Sequence, residues 1–170
     1  FDASFLRDRV GLALTYFRKV NEDQILQRPL PPSLGFTDNP FVNIGAVLNR
    51  GFEVSATLVP VNSRSLSWEL RVGANTLHNE VTDMGDVAAF GTVNRLEKGL
   101  QVGAWYSHKI LSINEATGVV TVDTIPSFAG NLYPTLEGNV STNITVLRNL
   151  RLYGLLETKR GHKVRNFTDF

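Results

Sequence analysis

Few side chains in this sequence are spaced for chemistry. The histidines His78, His108 and His162 are scattered and form no HExxH or HxH pattern, so no metal site is expected. Glu22 with Asp23, and Asp83 with Asp86, are close enough to imitate acid/base pairs, but both lie in polar stretches that read as solvated loops. Serines are plentiful, yet there is no GxSxG elbow to make one a nucleophile. Gly35, Gly45 and Gly51 belong to no GxGxxG or phosphate-binding loop and read as turn, bulge or close-packing positions. There is no cysteine, which removes disulfides and thiolate metal sites. An enzyme is therefore not expected, nor a cofactor. The candidates for ligand contact are aromatic: Phe36, Phe41, Trp105 and Tyr106. Their flat apolar faces suit stacking on a sugar ring or a peptide, and the competing role is packing loops onto the scaffold below.

The elements that would position these residues are strands. Val10, Leu12, Leu14 and Tyr16 alternate with Gly11, Ala13, Thr15 and Phe17. Phe52, Val54, Ala56 and Leu58 alternate with Glu53, Ser55 and Thr57, and Leu66, Trp68, Leu70, Val72 and Ala74 with Ser67, Glu69, Arg71, Gly73 and Asn75. Leu136, Val140, Ile144 and Val146 alternate with Glu137, Asn139, Ser141, Asn143 and Thr145. Period two places one set on each face of a sheet, and no stretch carries helical spacing. The fold class is all-β, an antiparallel meander.

The connections are uneven. Short turns are expected at Leu6–Arg9, Pro60–Ser65 and Leu147–Asn149, and long connections at Val20–Val42 and Asn79–Leu132. The first long connection holds Pro29, Pro31, Pro32 and Pro40, which bar a strand interior. The second offers a strand over Gly99–Ser112 and a turn at Asn114–Gly118 into Val119–Asp123. Short turns alternating with long loops is the rhythm of outer-membrane barrels. Several runs also reach the ~9–11 residues that a tilted strand needs to cross a bilayer. Aromatics near strand ends, Tyr16 with Phe17 and Trp68, suit the interfacial girdles. A soluble β-sandwich, as a binding or structural module, would give the same alternation with its apolar face turned to a core.

Five stretches in order resemble one family. They are FDASFLRDRVGLALTYF (Phe1–Phe17), ILQRPLPPSLGF (Ile25–Phe36), NIGAVLNRGFEVSATLVPV (Asn43–Val61), SWELRVGANTLHNEV (Ser67–Val81) and GHKVRNFTDF (Gly161–Phe170). Together they resemble the SusC/RagA-type TonB-linked outer-membrane receptors, while Met84–Glu97 matches least. The resemblance implies that residues 1–170 are an open, internal segment of a large transmembrane β-barrel, from its C-terminal half, in the bacterial outer membrane. It implies import of oligosaccharides or peptides by TonB-dependent transport. The implied partners are the remainder of the barrel and its plug, TonB, a SusD-like lipoprotein and outer-membrane lipid. No nucleic acid is expected, the net charge being only +1. The chain starts at Phe1 with no signal peptide, plug or TonB box in view, so alone it is not expected to be a working importer.

Two registers follow. A symmetric hairpin of Phe52–Leu58 with Leu66–Val72 would set Leu58 opposite Leu66, Ala56 opposite Trp68, Val54 opposite Leu70, Phe52 opposite Val72, and Glu53 opposite Arg71 as a cross-strand ion pair. A second hairpin, Leu136–Val146 with Leu150–Lys159, would set Val146 opposite Leu150, Ile144 opposite Leu152 and Glu137 near Lys159.

Overall fold

The structure is a computed structural model that describes residues 1–28, 30, 33, 35, 40–43 and 45–164. The strands are β1 (Asp2–Phe5), β2 (Val10–Glu22), β3 (Ile25–Gln27), β4 (Phe41–Asn43), β5 (Ala46–Asn62), β6 (Leu66–Thr76), β7 (His78–Asp83), β8 (Asn94–Arg95), β9 (Ala104–Ser107), β10 (Ile110–Ile113), β11 (Val120–Val122), β12 (Ser127–Gly130), β13 (Leu136–Val146) and β14 (Leu150–Arg160). No α-helix occurs among the described residues. The chain divides into two compact units. One, the sheet unit, comprises Phe1–Arg18, Arg50–His78 and Pro134–Arg160. The other, the loop unit, comprises 19–49, 79–133 and 161–164 among the described residues.

The main sheet has the order β1-β2-β5-β6-β13-β14, with β7 also on β5, and its end strands do not meet. It is thus an open antiparallel meander. Tight connections at 6–9, 63–65 and 147–149 lie at one end, where the Leu147 amide donates to the Ser65 carbonyl at 2.8 Å and the Val59 amide to the Arg9 carbonyl at 2.8 Å. The long connections join the opposite strand ends.

The β13–β14 hairpin has the expected register, Val146 opposite Leu150 and Ile144 opposite Leu152. Glu137 faces Lys159 and the two form an ion pair at 3.3 Å. The three-residue connection 147–149 holds Leu147 and Arg148 at φ 50° and 63°, and the Asn149 amide donates to the Val146 carbonyl at 3.2 Å.

The β5–β6 hairpin forms with a different register. Leu58 lies opposite Leu70, Ala56 opposite Val72, Val54 opposite Ala74 and Glu53 opposite Asn75, while Val61 pairs with Trp68. The expected Glu53–Arg71 cross-strand pair is therefore not made. Arg71 faces Thr57 on one side and Ser141 on the other, and its Nε bonds Glu69 at 2.8 Å along its own strand. Pro60 explains the shift. It does not open a turn but sits in a bulge between Leu58 and Val61, where a missing N–H costs no ladder bond. The strand runs on to Asn62, and Ser63 closes a shorter turn by accepting the Leu66 amide on its Oγ at 3.0 Å. Residues 53–58 slip by four positions against β6, an even number, so each side chain keeps its face.

Those faces differ sharply. One carries the rows Leu156–Val140–Val72–Ala56 and Leu152–Ile144–Trp68–Val61. Its members stand open: Leu152, Leu156, Val72, Val140, Phe52 and Val54 are all exposed. On the same face Tyr16 and Phe52 rings meet at 5.0 Å, and the Trp68 indole N–H donates to Thr142 Oγ1 at 2.9 Å. The other face carries Glu137–Asn75–Glu53 and Ser141–Arg71–Thr57. There Asn75 Nδ2 donates to Glu137 Oε2 at 3.3 Å.

In the loop unit, Val47, Val81, Met84 and Leu96 form a buried cluster with Val42, Val87, Phe90 and Val102 against it. The amide of Val81 donates to the Leu100 carbonyl at 2.8 Å. Buried Gln101 mimics a strand neighbour for Tyr133, accepting its amide at 2.8 Å and donating to its carbonyl at 3.3 Å. The expected single strand over Gly99–Ser112 is instead split into β9 and β10. Gly99 and Gly103 take left-handed φ of 86° and 70°, and the two pieces pair with different partners. The hairpin β10–β11 across Asn114–Gly118 forms as expected, with Asn114 Oδ1 accepting the Ala116 amide at 3.0 Å.

Candidate ligand pocket in the loop unit

β9 is the central strand of a small sheet ordered β12-β9-β8. Trp105 and Tyr106, adjacent on β9, both line one concavity, and β12 beside them is bulged between Phe128 and Gly130. The concavity has a volume of about 690 Å³, within the range of small-ligand sites. Its wall includes Trp105, Tyr106, His108, Ile110, Pro126 and Lys163. Among the described residues, no aspartate, glutamate, asparagine or glutamine lines it.

Behind the wall a short polar network fixes Tyr106. Its hydroxyl donates to Glu97 Oε2 at 2.9 Å, and Arg95 Nε donates to the same oxygen at 2.7 Å. The Arg95 guanidinium lies 5.0 Å from the Tyr106 ring centroid, and Phe128 meets the ring edge-on at 6.3 Å. The Arg95 hydrogen bond, then that from Tyr106, holds the Glu97 carboxyl below the usual carboxylate range. Burial, then the bond to Glu97, pushes the Tyr106 phenol up. The phenol therefore stays neutral and its ring stays oriented.

His108 Nδ1 lies 2.6 Å from the Asp123 carbonyl oxygen. A carbonyl only accepts, so Nδ1 carries the proton and Nε2 is the nitrogen left for other contacts. Lys163 is anchored through its backbone, its amide donating to the Asn131 carbonyl at 2.9 Å. Three buried polar atoms in this region, Trp105 Nε1, Ser127 Oγ and His162 Nδ1, make no hydrogen bond among the described residues.

Of the aromatic candidates, the structure brings Trp105 and Tyr106 together. Phe41 is on β4 opposite Gln27, exposed and not on the pocket wall. Phe36 lies outside the described residues. Of the acidic pairs, Asp23 accepts from Asn43 Nδ2 at 2.6 Å across 20 residues, and Asp83 accepts the Gly85 amide at 3.1 Å within its own turn. His108 and Lys163 are the wall residues that sequence reasoning missed. No spacing marks them, since they lie 55 positions apart and meet through folding alone.

Comparison with known proteins fits this architecture. The family described as TonB dependent receptor-like, beta-barrel matches residues 1–154. TonB-dependent receptor P39 of Formosa agariphila is 30% identical over 136 residues, covering 76% of this chain and 13% of that protein. TonB-dependent receptor SusC of Bacteroides thetaiotaomicron is 30% identical over 84 residues, covering 49% of this chain and 8% of that protein. The solved RagAB peptide transporter superposes with a TM-score of 0.76 at 15% identity, over 92% of this chain and 20% of that one. The chain thus spans a small part of the length of these relatives. With its open antiparallel sheet and its match over residues 1–154, the chain belongs to the TonB-dependent receptor-like β-barrel family.

Proposed function

We propose that this chain supplies wall strands and loops to an outer-membrane receptor that imports oligosaccharides or peptides by TonB-dependent transport. The observation that carries the reading is the two-faced sheet. Aliphatic and aromatic side chains stand exposed in register across β5, β6, β13 and β14, with the polar set behind them. In water such a face is a liability, whereas lipid is its natural solvent. Even the polar atoms on that face are matched, the Trp68 N–H being satisfied by Thr142. The soluble-sandwich alternative needs a covering sheet over those rows, and their exposure argues against it.

Spanning sheets must close, because edge N–H and C=O groups find no partner in hydrocarbon. β1 and β14 are the edges here, and a sheet of this many strands does not surround a substrate-sized lumen. The remainder of the barrel and its plug would supply the neighbours. TonB and a SusD-like lipoprotein would act with the complete receptor. In this reading the tight turns at 6–9, 63–65 and 147–149 face the periplasm and the long connections face the outside.

The test is single-cysteine labelling of the complete receptor in outer membranes, with Val72→Cys on the apolar face and Arg71→Cys beside it on the polar face. Val72→Cys should react with a lipid-soluble maleimide and resist a charged one, and Arg71→Cys should show the reverse. The opposite pattern, or equal reaction at both positions with the charged reagent, would refute the assignment of faces.

A further inference from the structure

We infer that the pocket beside β9 takes the carboxyl-terminal residue of a peptide, its apolar side chain against Trp105 and its carboxylate toward Lys163. This rests on the import reading and narrows it from oligosaccharides or peptides to one chemistry.

The wall composition carries the inference. Trp105, Ile110, Pro126, Val93 and Val164 give a surface that is mostly hydrocarbon. A sugar brings a ring of hydroxyl groups, each of which needs a donor or acceptor once water is displaced. Among the described residues, the planar amide and carboxylate side chains that could serve several hydroxyls at once are missing from the wall; Thr92, Ser107, the Tyr106 ring with its hydroxyl already committed to Glu97, His108, Lys163 and the Trp105 N–H remain. An apolar side chain has no such demand and gains from contact with the indole and the aliphatic groups.

Charge selects the other end of the ligand. Among the described residues Lys163 is the fixed charge on the wall, and no described acid lines it. The nearest acidic network, Glu97 with Arg95, is internally neutralised. His108 has its Nδ1 proton committed to the Asp123 carbonyl, so Nε2 faces the pocket as an acceptor and Lys163 is the donor for an anion. A carboxylate placed on Lys163 is thus favoured, and a ligand cation is not. The Lys163 backbone is tied to Asn131, which fixes where this residue joins the wall. The closed pair of Tyr106 with Arg95 and Phe128 keeps one side of the pocket rigid, which lowers the ordering cost of binding.

The experiment is isothermal titration of the complete receptor in detergent micelles with three probes: acetyl-Ala-Ala-Phe as the free acid, the same peptide as its carboxamide, and maltotriose. The free acid should bind about tenfold more tightly than the amide, the difference expected of one charge-assisted hydrogen bond. Lys163→Gln should erase that difference while leaving amide binding unchanged, and Trp105→Ala should weaken both peptides alike. Trp105→Phe, which keeps a stacking ring, should restore most of the binding. Each variant is first checked for the heat-dependent gel migration of a folded barrel, so that a misfolded protein is replaced by its conservative partner, Lys163→Met or Trp105→Phe. Equal binding of acid and amide, preference for maltotriose, or binding of none of the three overturns the inference. The cysteine labels at positions 71 and 72 are read on the same preparation. If they report lipid and lumen as expected while the acid shows no advantage, the pocket assignment fails and the import reading stands. If the labels reverse, the import reading fails, whatever the pocket binds.

Discussion

The sheet unit and the loop unit use the same kinds of residue in opposite ways. In the sheet unit, strands of eleven or more residues hold Leu, Val, Trp and Phe outward, and Gly51 is the sole buried residue among those described. In the loop unit, the start of β5, the six-residue β7 and the turns that follow it wrap Val47, Val81, Met84 and Leu96 into a core from which water is excluded. In the proposed membrane setting, the difference follows from the solvent each unit faces. Side chains directed at hydrocarbon need no partner layer, so long alternating strands suffice. Segments directed at water must bury their apolar groups among themselves, and short strands joined by turns do so at the cost of regular alternation.

The largest effects should come from the loop core. Met84→Ala removes a side chain that is 6% exposed from the Val47–Val81–Leu96 cluster, at a cost of ~2–5 kcal/mol. Hydrogen exchange of the complete receptor should quicken at the Val81 amide, bonded to the Leu100 carbonyl, and stay unchanged at the Val72 and Val140 amides. Equal quickening in both units would mean that they unfold as one cooperative body. Next is Val72→Arg, which puts a charge in the middle of the apolar rows. Near the bilayer midplane it should cost ~2–4 kcal/mol, read as a lower urea midpoint for refolding into lipid vesicles. Ser141→Arg, in the neighbouring strand on the polar face, should change the midpoint by a fraction of that. Similar losses at both positions would show that the faces are not distinguished by solvent.

What the sequence disclosed follows the same division. Alternation in Leu136–Val146 and the turn expected at Leu147–Asn149 leave one register, and that register is the one formed. The β5–β6 pairing was misplaced because Pro60 looks like a turn residue, and a bulge that absorbs it leaves no mark in the residue pattern. The faces survived the error because the slip is even. The loop core was not legible at all: Val47, Val81 and Leu96 are far apart in the chain, and the stretch around Met84 resembles the family least. Trp105 and Tyr106 stood out as loop aromatics. Nothing about Lys163 or His108 set them apart from solvated side chains until β9 and β12 placed them on one wall.

A smaller effect concerns the turn of β13–β14. Arg148 sits at φ 63°, a conformation that costs a residue with a Cβ ~1–2 kcal/mol and glycine almost nothing. Arg148→Gly should raise the urea midpoint of the complete receptor by the equivalent of about 1 kcal/mol. The same change at Arg64, in the Ser63–Ser65 turn where no positive φ is found, should be neutral or slightly destabilising. A gain at both positions would trace the effect to lost charge rather than to backbone strain.

The smallest effect separates the units by pH. Arg95 and Tyr106 hold the Glu97 carboxyl below its unfolded value, so the loop unit draws stability from its ionised form. That contribution is complete above the unfolded carboxylate pKa and is lost as pH falls through the lower, folded one. Glu97 is 38% exposed, so screening by water limits the contribution to at most ~1 kcal/mol. Thermal melting of the loop unit, followed by near-ultraviolet circular dichroism of Trp105 and Tyr106, should therefore shift downward between pH 5 and pH 3, and Glu97→Gln should flatten that shift. Glu97→Gln keeps an acceptor for the Tyr106 hydroxyl and for Arg95 but removes the charge. An unchanged acid slope in Glu97→Gln would assign the pH response to other carboxylates and leave the Arg95–Glu97–Tyr106 network as a neutral scaffold for the pocket.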